Sequence, residues 1–244
     1  SLQLAQKLGL ETVMDGNYLV NLKGAYYNID SLTVSGPLNG LDIGVLRFLG
    51  GADVNNSDPT CGQLRYLNLY NAELKRDMTY PFQCHGFNNY LDKDNETGSF
   101  MFYYCDKLET VILPRSATYI QESCFEHATN LKKLVVSDDT RGYDDEITRY
   151  VHGLSELVFL TRQSTKSDAL GGLMNYDSWE TPIEAVFVPN SQIGDYVNEP
   201  AITQYTSNIV APFKDDAVLR AFAAKGHFFP SEYFQLSSIA GILE

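Results

Sequence analysis

The feature that most constrains the fold of this chain is an internal repeat with a period of 23 residues. Residues 108–114 read LETVILP, residues 131–137 read LKKLVVS and residues 154–160 read LSELVFL, so the template is L-x-x-L-x-L with apolar variants. The template fits seven segments in all, and their starts are 35, 44, 23, 23, 29 and 23 residues apart. We interpret the longer spacings as the same period plus insertions. The other four segments are residues 29–34, 64–69, 183–189 and 206–212.

The stretches between these predicted strands repeat as well. Residues 102–105 (FYYC) precede Leu108, and residues 125–128 (FEHA) precede Leu131 at the same offset. Each unit therefore offers a short strand, a turn and an aromatic-anchored return. One unit cannot bury its apolar face alone, whereas stacked units share a continuous core. The sequence thus predicts a stack with Leu108, Leu131 and Leu154 in one column.

Residues 102–136 carry a family resemblance. They read FYYCDKLETVILPRSATYIQESCFEHATNLKKLVV, which resembles the BspA-type leucine-rich repeat, with units of the form F-x-x-C-x-x-L-x-x-I-x-L-P followed by I-x-x-x-A-F. Cys124 stands where the family usually has Ala, and Ala128 where it often has Cys. Looser likeness extends from residue 32 to residue 212. The resemblance implies surface or secreted proteins of gut and oral anaerobic bacteria.

The fold class that this resemblance implies is an α+β repeat solenoid. It would be a right-handed coil of short parallel strands with irregular or helical returns and caps. We expect one domain over residues 1–244. Residues 1–60 would form a helical cap and a first strand, residues 61–212 the repeats and residues 213–244 a C-terminal cap. Polar, irregular insertions are expected near 76–98 and 161–179.

Helix signals locate three helices. Residues 2–8 form a short helix that stops at Gly9, and residues 41–49 form a longer one that stops at Gly50 and Gly51. Asp216 is expected to cap a terminal helix over residues 217–225, which Gly226 would end. That helix would turn four apolar side chains toward the stack, namely Val218, Leu219, Phe222 and Ala223.

Composition excludes several classes of function. Hydrophobic residues make up 44% and charged residues 20%, which suits a folded domain with a sizeable core. The net charge of -13 argues against nucleic acid as a partner, because phosphates need Lys and Arg. Apolar runs are too short for a transmembrane segment. Since the sequence starts at Ser1, we expect a missing leader, where a lipid-modified cysteine could lie.

The cysteines and histidines show no motif for catalysis or metal binding. Cys61, Cys84, Cys105 and Cys124 form no CxxC pair, and we expect small core residues, with one disulfide left open. Cys84 and His85 are sequence neighbours, whereas catalytic pairs usually meet through the fold. The remaining histidines are predicted to be surface or packed imidazoles, namely His127, His152 and His227.

The acidic clusters are expected to be solvated loops. Asp92, Asp94 and Glu96 alternate as oxygen donors would in a calcium loop, but no matching carboxylate follows. Phosphate loops and serine nucleophile elbows are absent from the sequence. We therefore expect that the chain binds no cofactor and no metal ion and that it is not an enzyme.

The strands should present two outward rows of side chains, because alternate residues of a strand face opposite sides. We call these two rows together the strand face. The second row is apolar at five consecutive strands, and an exposed apolar stripe indicates binding. The alternative is that such residues simply favour strand pairing. The first row is Ser31, Tyr66, Thr110, Lys133, Glu156, Ala185 and Asn208; the second is Thr33, Asn68, Ile112, Val135, Val158, Phe187 and Val210.

These rows lead to a functional hypothesis. The chain is predicted to be a non-enzymatic binding protein, extracellular or on the bacterial cell surface, that adheres to host or microbial macromolecules. The alternative is a carbohydrate-binding or glycan-utilisation accessory module, because sixteen tyrosines could stack on sugars. A hydrolase would need a convergent catalytic pair that the sequence does not reveal. The predicted ligand-binding residues are Tyr66, Tyr70, Ile112, Val135, Val158 and Phe187.

Overall fold

A computed structural model describes residues 3–55, 57–84, 86–161 and 183–230 of the chain. Two short 3-10 helices, Tyr26–Asn28 and Asn190–Gln192, accompany the longer elements. The strands are β1 (Glu11–Asp15), β2 (Tyr18–Lys23), β3 (Ser31–Leu38), β4 (Tyr66–Leu74), β5 (Asp77–Cys84), β6 (Phe87–Leu91), β7 (Thr110–Ile112), β8 (Tyr119–Ile120), β9 (Lys133–Val136), β10 (Gly142–Tyr143), β11 (Glu156–Phe159), β12 (Ala185–Phe187) and β13 (Ile209–Val210). The helices are α1 (Gln3–Lys7), α2 (Gly40–Leu49), α3 (Ile193–Tyr196), α4 (Pro200–Thr203) and α5 (Asp216–Ala223).

The predicted repeat strands form one seven-stranded parallel sheet. Its order is β13-β12-β11-β9-β7-β4-β3, so each strand pairs with the strand of the next repeat along the chain. Thr110 pairs with Lys133, and Lys133 pairs with Glu156, which is the 23-residue register of the sequence. Parallel neighbours need a crossover connection, and the return segments supply it. The repeat and its register are confirmed.

The inner side of the sheet covers a continuous apolar core. This cluster runs from Leu4 to Ile209 and contains the repeated leucines together with the aromatic residues of the returns. Phe102 and Phe125 stack within it, with ring centroids 5.5 Å apart and planes at 17°. The three leucines of the predicted column are all buried in this core, namely Leu108, Leu131 and Leu154.

The returns also bond to one another from repeat to repeat. The amide of Phe102 donates to the carbonyl of Cys124 at 2.7 Å, and that of Phe125 donates to the carbonyl of Ile147 at 2.8 Å. Strands β8 and β10 pair in parallel with the same 23-residue register. Each of three returns contains two non-glycine residues with positive φ, at positions 100 and 104, 123 and 127, and 146 and 150. The repeat therefore fixes the backbone of the returns as well as that of the strands.

Helix α2 fills the N-terminal end of the core and ends at Gly50, as predicted. A capping box starts it: the Asn39 side chain accepts from the amide of Asp42, and the Asp42 carboxylate accepts from the amide of Asn39. The helix is buried all round, including Arg47. The Arg47 guanidinium donates to backbone carbonyls, among them that of Asp53 at 2.9 Å, which satisfies its buried donors.

The stretch near 76–98 lies between the repeat strands β4 and β7, as an insertion would, but the prediction that it is irregular is wrong for most of its length. Strands β5 and β6 form an antiparallel hairpin there. Phe82 and Leu91 are fully buried, while Phe87 at the hairpin tip is 74% exposed. A few apolar residues on one face are enough to seat the hairpin, although most of its sequence is polar. The second predicted insertion, 161–179, lies outside the described residues except for Thr161.

Candidate functional site

The second outward row of the strand face is apolar as predicted, but its expected exposure is wrong. Ile112, Val135, Val158 and Phe187 are fully buried, and Val210 is nearly so. They belong to a second apolar cluster that shares no member with the inner core. The sheet thus has a core on each side, and something covers the strand face.

The cover is the chain's own residues 213–230, which we call the strap. It comprises helix α5 and the turn and extended stretch that follow it. Leu219, Ala223 and Phe229 are buried against the strand face. Phe222 is partly buried against the same cluster, whereas Val218, which was predicted to face the stack, is exposed. Asp215, one residue before the predicted cap, accepts from the amide of Ala217 at 2.8 Å.

Side chains of β4 bind the strap through its main chain. The Tyr66 hydroxyl donates to the carbonyl of Lys225 at 2.8 Å, and the Asn68 amide donates to the carbonyl of Ala224 at 2.7 Å. These carbonyls follow the end of α5, where the last carbonyls of a helix lack partners within it. Strand β4 lies near the opposite edge of the sheet from β13, so the strap crosses the face of the sheet.

A buried ion pair lies under the end of the strap. The Lys133 ammonium is 2.7 Å from a carboxylate oxygen of Glu156, and both side chains are almost completely buried. Lys133 also donates to the carbonyl of His227, and the other oxygen of Glu156 accepts from the amide of Phe229 at 2.9 Å. The ammonium lies 4.7 Å from the centroid of the Phe229 ring, within the range of a cation–π interaction. The pair therefore forms hydrogen bonds with two main-chain groups of the strap.

Burial shifts both members of this pair toward their neutral forms. It lowers the pKa of Lys133, and it raises the pKa of Glu156. In each case the mutual attraction opposes the effect of burial without cancelling it. The strap contributes to keeping water from both groups.

Aromatic rings anchor the end of the strap at the far side of the sheet. Phe229 stacks on Phe187 with ring centroids 3.7 Å apart and planes at 18°. Phe222 lies 4.7 Å from the same Phe229 ring, and Phe213 lies 6.4 Å from it. Phe187 therefore forms the floor of an aromatic site that the strap fills.

Tyr70 reaches the strap through a shared carboxylate. Its hydroxyl donates to Asp138 at 3.3 Å, and Asp138 accepts from the Arg220 guanidinium of α5 at 2.6 Å. Burial, followed by the charge of Asp138, raises the pKa of Tyr70.

All six predicted ligand-binding residues lie in the second apolar cluster or pack against it.

Sequence reasoning missed the polar half of this site. Asn68, Lys133, Glu156 and Asp138 all bind the strap, and none was selected as a site residue. Lys133 and Glu156 are opposite charges at equivalent positions of successive repeats, so their pairing could have been found from the 23-residue spacing.

Among the residues that the structure describes, the other candidate groups do not converge on a reactive centre. All four cysteines are free, and Cys61 is the exposed one. Cys84 is buried, and its sequence neighbour His85 lies outside the described residues. His127 is packed between Tyr104 and Tyr150, with ring centroids 4.2 and 4.4 Å away and planes at 19°.

The acidic loop is organised by an amide side chain. Gln121 donates to Asp92 at 2.9 Å and to Glu96 at 3.2 Å. Within the described ranges, His, Cys, Asp and Glu side chains do not gather in threes as a metal site would require. None of the helices in the same part of the chain has the length and apolar character needed to cross a bilayer.

The repeats match a known protein family. Residues 62–168 fit the family model described as the BspA type Leucine rich repeat region, in six copies. No curated protein matches the chain.

Proposed function

Residues 62–168 are a BspA-type leucine-rich repeat region, and from this premise we propose that the chain is a non-enzymatic binding protein that presents its strand face to an extracellular protein. Such a region is a protein-interaction repeat module with a solenoid-like fold. The proposed setting is the bacterial cell surface or the secreted fraction, and the proposed role is adhesion to host or microbial macromolecules. We also propose that the coil is right-handed.

One observation carries the proposal: the strand face already holds a polypeptide. Tyr66, Asn68 and the Lys133–Glu156 pair bind four main-chain groups of the strap, and Phe187 stacks on an aromatic side chain. Main-chain hydrogen bonds together with a pocket for a side chain are the usual means of peptide recognition. The face therefore has the chemistry to bind a protein segment.

The test is a pull-down with the immobilised full chain against extracellular matrix and mucus fractions, followed by affinity measurement on each captured protein. On protein whose strap has been cut from the repeats between Lys214 and Asp215 and washed away, we expect Tyr66→Phe to weaken binding about 2- to 10-fold, because it removes one hydrogen-bonding hydroxyl. The matched control is Tyr27→Phe, which changes an exposed tyrosine that is not part of the strand face. Folded protein that captures nothing once the strap has been removed in this way, or whose binding then ignores Tyr66, would reject the proposal.

The carbohydrate alternative has weaker support from the described residues. Sugar binding through tyrosines favours exposed, coplanar rings, whereas Tyr104 and Tyr150 are stacked face to face with His127 between them. Their inner faces are therefore occupied. A glycan array separates the two functions, because saturable glycan binding without protein capture would favour the alternative.

A further inference from the structure

We infer that the strap is a displaceable, autoinhibitory occupant of the strand face, and that the ligand which replaces it is a protein segment of the same chemistry. This inference rests on the function proposed above and specifies its ligand and its regulation. The first support is the division of the apolar residues. The strap packs on the second cluster alone, and the inner core from Leu4 to Ile209 is complete without it.

The second support is the nature of what the strap covers. A buried ion pair gains little over apolar residues of similar volume, because desolvation offsets the attraction between the charges. A permanently buried core would therefore gain little from Lys133 and Glu156. When the strap is absent, both charges can be hydrated; when the strap is bound, both side chains bind its main-chain atoms.

The third support is the way in which the strap is attached. Lys214 and Asp215 are exposed where the chain leaves the repeats and enters α5. On the strap itself Val218, Lys225, His227 and Phe228 remain exposed. The strap thus has one buried side and one solvent side, as a bound peptide does.

The contacts define the ligand that would compete. It is a protein segment with consecutive backbone carbonyls for Tyr66 and Asn68, and a further carbonyl for Lys133. An amide N–H must meet Glu156, and an aromatic ring must stack on Phe187. A residue with positive φ is needed at the turn, where Gly226 has φ of 68° and an added Cβ would lie 2.5 Å from the Tyr66 ring. The strap is the one peptide that the structure shows to fit.

The experiment uses the whole chain with a specific protease site inserted between Lys214 and Asp215. After cleavage, a fluorescently labelled synthetic peptide of residues 215–230 is added, and binding is followed by anisotropy. We expect saturable binding to the cleaved protein, at least tenfold tighter than to the uncleaved protein. A tethered strap competes at an effective concentration in the millimolar range, and cleavage removes that advantage.

Two variant peptides make the test specific. Gly226→Ala should weaken binding at least tenfold, because the new methyl group meets Tyr66 and the backbone is strained. Val218→Ala is the matched control and should bind like the parent, since Val218 faces solvent. Equal binding of all three peptides would overturn the inference.

A second measurement uses the intact chain. Hydrogen exchange should show the amides of Gly226 and Phe229 exchanging at least tenfold faster than those of Leu134 and Leu157 in the sheet. Equal protection of strap and sheet, or loss of the folded state on cleavage, would show that the strap is a structural core and would overturn the inference. If peptides exchange but the cleaved protein captures no extracellular protein, the strap is displaceable as inferred and the proposed function fails.

Discussion

At the scale of single residues, polarity alone does not say which side chains are buried. Lys133 and Glu156 are polar members of an outward row, yet they are among the most deeply buried residues of the chain. Arg47 is buried in the same way and is satisfied by backbone carbonyls. Their burial could not be predicted from local sequence, because the strap that covers Lys133 and Glu156, and the carbonyl of Phe100 that binds Arg47, come from distant segments.

The ion pair makes a prediction about stability. Glu156→Gln leaves the Lys133 ammonium buried without its counter-charge, so the free energy of unfolding should fall by about 3–5 kcal/mol. The double variant Lys133→Met with Glu156→Gln removes that charge and keeps an acceptor for the amide of Phe229, so it should regain much of the loss. Urea unfolding measures both. A double variant no more stable than the single one would contradict this account.

The thiols make a second prediction at this scale. Burial raises the pKa of Cys84 to about 11 and the pKa values of Cys105 and Cys124 to about 12. At pH 8 these thiols hold almost no thiolate, so a chromogenic disulfide reagent should titrate only the exposed Cys61 in the folded protein. In denaturant all four should react. Rapid reaction of more than one thiol in the folded protein would contradict the burial described above.

At the scale of elements, strands with a strong repeat were predictable and the hairpin was not. The L-x-x-L-x-L template located all seven strands of the main sheet, because the leucines repeat at positions that pack in one core. The hairpin of β5 and β6 has no counterpart in the parts of the other repeats that the structure describes, and its apolar residues are few. Its structure depends on packing against α2 and the core, for example through the Gly40 amide, which donates to Asp77 at 3.0 Å.

The hairpin can be tested with two phenylalanines. Phe82→Ala removes a fully buried ring and should lower the free energy of unfolding by about 3–5 kcal/mol. Phe87→Ala, at the exposed tip, should change it by less than about 0.5 kcal/mol. Thermal or urea unfolding gives both values. Similar losses for the two variants would mean that the tip is packed rather than exposed.

At the scale of the whole molecule, periodic sequence determines what neighbouring repeats do, and it does not determine what a terminal segment does. The 23-residue register follows from the repeats themselves. The contact of Tyr66 with Lys225 joins residues 159 positions apart, and no periodicity points to it. The second row of the strand face was therefore correctly identified as apolar, and the terminal helix was expected to pack on the stack, but the sequence did not reveal that this helix covers that row.

The continuous inner core predicts cooperative unfolding. Leu131→Ala in the middle of the column should lower the free energy of unfolding by about 2–5 kcal/mol and keep a single transition by circular dichroism and tyrosine fluorescence. Lys132→Ala is the neighbouring control, because its ion pair with Glu109 is at the surface and is worth less than about 1 kcal/mol. Separate transitions for the two signals would show that the repeats unfold independently of one another.

The hydrogen bonds from the repeats to backbone atoms of the strap have an evolutionary consequence. Tyr66, Asn68 and Lys133 donate to the carbonyls of residues 225, 224 and 227, so these bonds do not depend on which side chains occupy those positions. Related chains could therefore vary positions 224, 225 and 227, provided that Gly226, the aromatic ring at 229 and the buried face of α5 persist, and still place the strap on the strand face.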